Sequence, residues 1–291
     1  MKAKFRIVLA VACAATALAQ AAVSPVQSEN VRTLLRDHKV AAAASAANAL
    51  VAAHPAEAEA YALLGSVDVA KDDADAAVTA VEKAAELAPA NSEYQRQLGD
   101  TYGFAAQKAG MLSKMGFAKK CRLAYEKAVE LDPGNLKARS SLMGFYQQAP
   151  GMMGGGLDKA YAQAAAIKQL DAGRGRLAYA TLHTAEKKYA EAFTELEEAL
   201  QVAPDDYTAL YQYGRLTALS GERIDRGMAA LTKCLTLPPP PDSPGHAAAH
   251  WRIGNLWEKK GDQTAARASY QAALAIDPGF QQASESLKKL E

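Results

Sequence analysis

Hydrophobic and polar positions recur along this chain as one repeated phrase. Tyr61-Ala62-Leu63-Leu64-Gly65 is followed by Ala77, Val81, Ala84 and Pro89. Leu98-Gly99-Asp100-Thr101-Tyr102 is followed by Cys121, Tyr125, Ala128 and Pro133, and Ile253-Gly254-Asn255-Leu256-Trp257 by Ala266, Tyr270, Ala273 and Pro278. A Leu-Gly or Ile-Gly pair opens each phrase. A small residue and then an aromatic or branched residue follow at helical spacing, and an alanine and a proline close it. Such spacing gives each helix one apolar face. Glycine and alanine fall where two helices cross closely, and proline stops the second helix of each pair. One pair cannot bury its apolar face alone, so pairs must stack. The prediction is an all-α chain of antiparallel helix pairs.

The same closing phrase stands at Pro89, Pro133, Pro204 and Pro278, and Gly65 lies 34 residues before Gly99. This pattern resembles the tetratricopeptide repeat (TPR), a 34-residue helix–turn–helix unit, over about residues 28–291. The resemblance implies a right-handed α-solenoid of about six to seven helix pairs with a C-terminal capping helix. The expected units are 28–54, 56–89, 90–133, 134–172, 173–204, 205–245 and 246–278. The cap at 279–291 carries a polar outer face through Gln281, Gln282, Ser284, Glu285, Lys288 and Lys289.

Three stretches depart from the period. The 90–133 unit is 44 residues long, and its surplus falls at Lys108–Phe117, between its two helices. In the next unit Ala149-Pro150-Gly151-Met152-Met153-Gly154-Gly155-Gly156 replaces the internal turn. That turn is similar to turns in exported bacterial repeat proteins, which supply no activity to carry over. Equivalent turns of stacked units project from one edge, so Met111, Met115, Phe117, Met152 and Met153 are expected to share a partner-binding edge or to fold back over the core. The third departure, Leu237-Pro238-Pro239-Pro240-Pro241-Asp242-Ser243-Pro244-Gly245, reads as an extended spacer or as a seam between subdomains.

Charge and composition narrow the function. The formal net charge of the whole chain is +1 and aromatic residues are 7%. That balance lacks the basic excess of a nucleic-acid protein. Lys2, Lys4 and Arg6 precede an apolar run from Ile7 to Ala19, with small residues in A-x-A order at Ala17–Ala19 and Ala19–Ala21. Residues 1–21 read as a secretory signal peptide, since the run is too short to span a bilayer as a mature helix. A retained anchor is the alternative. Cleavage near Ala19 or Ala21 takes the net charge to −2, with no membrane span left, and places the protein across the inner membrane in the periplasm. Disulfides form in that compartment. Yet Cys121 and Cys234 sit three units apart, tens of ångströms at about 10 Å per unit, whereas a disulfide needs Cα atoms within about 7 Å. Both are expected to be buried thiols.

In the resembling family the first helices line a concave groove. Carried onto this sequence, the groove positions are Arg96, Asp100, Phe104, Lys137, Gln147, Gln148, Tyr211, Arg215, Trp251, Asn255 and Glu258. The chaperone-binding subset of the family clamps a peptide carboxylate with lysine and asparagine. Asn255 fits that clamp, but Trp251 stands where the lysine belongs, so that specificity does not follow. Trp251 and Tyr211 are equally readable as core.

No catalytic motif appears. The glycine-rich 151–156 stretch lacks the Lys-Ser or Lys-Thr of a phosphate loop, and His246 and His250 lack further metal ligands. Asp72-Asp73-Ala74-Asp75 reads as a helix start. The expectation is a non-enzymatic scaffold or adaptor with no cofactor and no metal, holding a protein or peptide partner in its groove. The rival is a structural accessory subunit of an envelope enzyme or export complex.

Overall fold

The computed structural model describes residues 22–241 and 243–290. The expected signal peptide and its cleavage positions lie outside the described residues. Fifteen α-helices and one short 3-10 turn make up the described secondary structure, with no strand among the described residues. The chain divides into two compact units, ending and beginning at Pro89 and Ala90.

The first unit holds α1 (Pro25–Arg36), α2 (Val40–Ala53), α3 (Ala58–Ala70) and α4 (Ala74–Leu87). Ser24 starts α1 by a capping box with Gln27, and Pro25 takes the first helical position, where its missing N–H costs nothing. Helix formation thus begins three residues before the expected 28. Asp73 caps α4 by accepting from the Ala76 amide, which matches the helix-start reading of the acidic cluster. Val31, Ala43, Ala47, Leu50, Leu63 and Val67 form the core between α1, α2 and α3.

The second unit pairs α5 (Ser92–Lys108) with α6 (Met111–Leu131), and α7 (Leu136–Gln148) with α8 (Leu157–Leu170). It continues with α9 (Ala172–Ala185) and α10 (Tyr189–Val202), α11 (Tyr207–Ser220) and α12 (Ile224–Cys234), α13 (His246–Lys259) and α14 (Gln263–Ile276), then α15 (Gln281–Lys289). Each partner packs on the other, and consecutive pairs pack in series.

The glycine of each phrase lies under the bulky residue of the following helix. A Cβ added to Gly65 would meet the Val81 side chain at 2.2 Å, one on Gly99 the Tyr125 ring at 2.4 Å, and one on Gly254 the Tyr270 ring at 2.3 Å. The repeated Leu-Gly therefore encodes the close crossing of two helices. Each closing proline stands two residues beyond a helix end, at α4, α6, α10 and α14.

Two expectations need correction. The surplus at 108–117 is not a loop. Met111 opens a 21-residue helix, α6, after a single break at Ala109–Gly110, because the surplus is built of helix formers with only Gly110 and Gly116 against them. Nor is 237–245 where the chain divides. One apolar core runs from Leu177 in α9 through Cys234 in α12 to Leu256 in α13, past the proline run. The run is strapped to that core. The Tyr207 hydroxyl donates to the Pro244 carbonyl at 2.7 Å, Thr208 bonds Ser243 at 3.1 Å, and His246 Nε2 lies 2.8 Å from the Leu237 carbonyl.

Candidate functional site

In the second unit the first helices are lateral neighbours. α5 packs on α7, α9 on α11 and α11 on α13. The Gln147 side chain of α7 reaches the Thr181 carbonyl of α9 at 3.5 Å. The predicted groove residues lie along this row, but their environments differ.

Arg96 and Asp100 are brought together and spent on each other. Arg96 binds Asp100 and takes Glu93 at 2.6 Å, and Asp100 also accepts from the Tyr125 hydroxyl at 2.7 Å. Burial works against the charge on Arg96, yet the two carboxylates outweigh it and raise its pKa. The Tyr125 hydroxyl is pushed upward by burial and by Asp100. This network ties α5 to α6.

Tyr211 is 7% exposed and belongs to the core. Trp251 is also taken. Its indole N–H donates to Ser286 Oγ at 3.1 Å, its ring meets Phe280 edge-on, and the Arg252 guanidinium lies over it at 4.1 Å. Asn255 and Glu258 both accept from the Tyr270 hydroxyl, at 2.9 and 2.8 Å. These four residues hold helix pairs together.

Phe104 is half-buried beneath Lys108, and Lys137 and Gln148 are exposed on α7. Arg215 on α11 is exposed and makes no hydrogen bond or ion pair with any described residue. Most arginines of the described chain are engaged, so a free guanidinium on the first-helix row is a departure.

Three stretches match models of the tetratricopeptide repeat, at residues 58–91, 173–216 and 247–280. They fall on the α3–α4 pair, on α9–α10 running into α11, and on α13–α14. This chain is a tetratricopeptide repeat protein. A tetratricopeptide repeat protein from Parabacteroides merdae superposes with a TM-score of 0.59 at 18% identity, over 91% of this chain and 97% of that one. A chain of the APC/C hetero-tetramer Cut9-Hcn1 superposes with a TM-score of 0.56 at 16% identity, over 92% of this chain. It matches 49% of that longer chain, about half its length. At these identities the likeness is one of fold: an all-α solenoid arrangement of stacked repeats. No curated protein is significantly similar in sequence. Repeats of this kind are protein-interaction modules, in general without catalysis of their own.

Two features of the TPR protein escaped the sequence pattern. A cleft of about 420 Å³ lies between α10 and α12, floored by Leu210 and Tyr213 of α11. One wall is Glu197, Leu200, Gln201 and Pro204, and the other is Arg226, Ala229, Ala230 and Lys233. Glu197 accepts from Arg223 and Arg226, each at 2.6 Å, and from the Tyr213 hydroxyl at 3.1 Å. The signal was present as two rows at i, i+3, i+4 and i+7, the second with Ala229 and Ala230 at its centre. The second feature is a half-buried cluster across α8 and α9. Tyr161 bonds Glu186 and lies 3.1 Å from His183 Nδ1, with the Tyr179 ring tilted against the Tyr161 and His183 rings. Nothing in the repeat phrase marks it.

The edge methionines divide into two groups. Met111 and Met152 are each 82% exposed, Leu112 is 88% exposed, and Met115 is exposed as well. Phe117 folds inward against Tyr102 at 6.2 Å between ring centres, and Met153 is half-buried. Among the described residues no helix is long and apolar enough to cross a membrane. Cys121 and Cys234 are both buried, and burial pushes each thiol up to about 12.

Proposed function

We propose that this TPR protein is a scaffold or adaptor of the cell envelope that holds a peptide or protein partner along the first-helix row of its second unit. The observation that carries the reading is Arg215, an exposed guanidinium with no partner of its own among the described residues. Earlier first helices of the row carry Phe104 on α5 and Lys137 and Gln148 on α7. Arginine is a frequent anchor at protein interfaces because its planar donors bind carboxylates in pairs. The partner segment that suits this row carries an acidic side chain or a free carboxylate. Envelope location rests on the apolar, cation-led residues 1–21.

The test is crosslinking in the native host with a tagged full chain, followed by mass spectrometry. One dominant envelope protein is expected, with its crosslink reduced about tenfold or more in Arg215→Ala, as for a hot-spot arginine. A diffuse set of captured peptides, or a partner indifferent to Arg215→Ala, overturns the reading.

A further inference from the structure

From Thr101 to Tyr125 the chain contains no Asp or Glu, yet it carries Lys108, Lys114, Lys119, Lys120 and Arg122. Arg122 is committed to Glu126 at 2.7 Å; the four lysines are exposed at the end of α5 and along α6, and of these Lys108 and Lys120 have partners of their own. The Lys108 and Lys120 ammonium groups lie over the rings of Phe104 and Tyr102, at 5.6 and 5.0 Å from the ring centres.

The outward face of α6 carries Leu112, Met115, Lys119 and Leu123, with Met111 at its first position. Met111, Leu112, Met115 and Leu123 are all exposed large hydrophobics. The inward face is the opposite one, through Cys121, Tyr125 and Ala128. The neighbouring turn meets α6 at Arg122, where a methyl on Gly154 would lie 2.8 Å from the guanidinium. The eleven residues from there back to Met111 extend about 16 Å along the helix. Space is open around this end: a Cβ on Gly110 or on Gly116 would touch nothing within 4 Å.

The α5–α6 hairpin therefore ends in a protruding apolar tip surrounded by lysines. We infer that this tip is a docking element for an anionic lipid surface. A helix with Met and Leu on its outer face and lysines beside them places its side chains at the boundary of headgroup and acyl chain. Each lysine near an anionic leaflet adds attraction that falls off within a Debye length. A protein partner fits less well. Protein interfaces are depleted in lysine at their centres and bury anchors in concave pockets, whereas this surface is convex and lysine-rich. The inference goes beyond the scaffold reading and does not rest on Arg215.

The first amides of a helix have no acceptor within it, so those of 111–113 exchange rapidly unless something covers them, whereas the Lys114 amide already donates to the Gly110 carbonyl at 2.8 Å. Hydrogen exchange of the full chain is measured with vesicles of phosphatidylglycerol and phosphatidylcholine in equal parts, and with phosphatidylcholine alone. The expected result is slowing on the order of tenfold at 111–113, in proportion to burial of the tip side chains, with the anionic vesicles only. Added salt and the exposed double substitution Lys114→Glu/Lys119→Glu should each remove it. Lys288→Glu/Lys289→Glu on α15, with the same charge change, should leave it intact. Attachment through residues 1–21 would not by itself slow exchange at this tip. No slowing with anionic vesicles, equal slowing with neutral ones, or indifference to the Lys114/Lys119 pair overturns the inference. Slowing with soluble polyglutamate but not with vesicles also overturns it, in favour of an acidic protein.

Discussion

The two long interruptions between first and second helices, at 108–117 and at 149–156, begin alike and end differently. Both add methionine and glycine where a short turn would suffice. At 108–117 the surplus became helix, lengthening α5 and α6 into a protruding hairpin. At 149–156 it stayed a turn and folded inward. Gly156 donates to the Tyr146 carbonyl at 2.8 Å, Gly155 is buried, and Gly154 takes φ 89° against Arg122. The difference lies in how the glycines are grouped. At 108–117 Gly110 stands at the single break as the cap of α6, and the one glycine inside that helix, Gly116, costs it about 1 kcal/mol and does not stop it. A proline followed by glycine and then three consecutive glycines cannot continue one, and their missing side chains let the backbone press against α6 and α7.

The same substitution should therefore have opposite signs in the two places. Gly155→Ala would set a methyl 1.8 Å from the Ala149 carbonyl oxygen, backbone against backbone. We expect a loss of about 3 kcal/mol, at the upper end for overpacking, read as a lowered urea midpoint. Gly116→Ala meets nothing within 4 Å on the open face of α6. It should raise stability by about 0.5–1 kcal/mol, as alanine does over glycine in an exposed helix interior. If Gly116→Ala is instead destabilising, the 111–120 stretch is not helix and the comparison fails.

A smaller effect separates α6 from its tip by pH. Cys121 is buried in α6 and its thiol is held neutral up to about 12 by burial, against an ordinary value of 9.0. The folded state therefore binds the proton more tightly than the unfolded one. That stability is complete below about pH 9 and falls as pH rises towards 12. Cys121→Ala should flatten this alkaline slope, measured by urea melts across the range, with no change at pH 7 beyond the cost of the lost sulfur.

Much of the fold was legible because the repeat phrase is itself a packing statement. Gly99 under Tyr125 and Gly254 under Tyr270 are the same contact written twice, and the prolines punctuate the helix ends. Misreading entered where spacing was taken for conformation. Surplus length at 108–117 suggested a loop, and four prolines at 238–241 left both a spacer and a seam open. Helix propensity settled the first. The second turned on Tyr207, Thr208 and His246, whose hydrogen bonds to the run span between 9 and 37 residues and leave no local signal. Of the expected groove residues Arg215 is exposed on α11, while Trp251 and Tyr211 serve packing, a choice their residue type does not decide. The α10–α12 cleft went unread because a repeat template directs attention to first helices.

Both tryptophans, Trp251 and Trp257, stand on α13. Intrinsic tryptophan fluorescence therefore reports on the last pair, α15 and the neighbouring core that Trp257 packs against, while circular dichroism averages every helix. Stacked repeats share only nearest-neighbour interfaces and need not melt as one. A fluorescence transition that fails to coincide with the dichroism transition would accordingly measure fraying at one end of the second unit, and its midpoint could not serve as the stability of the whole chain.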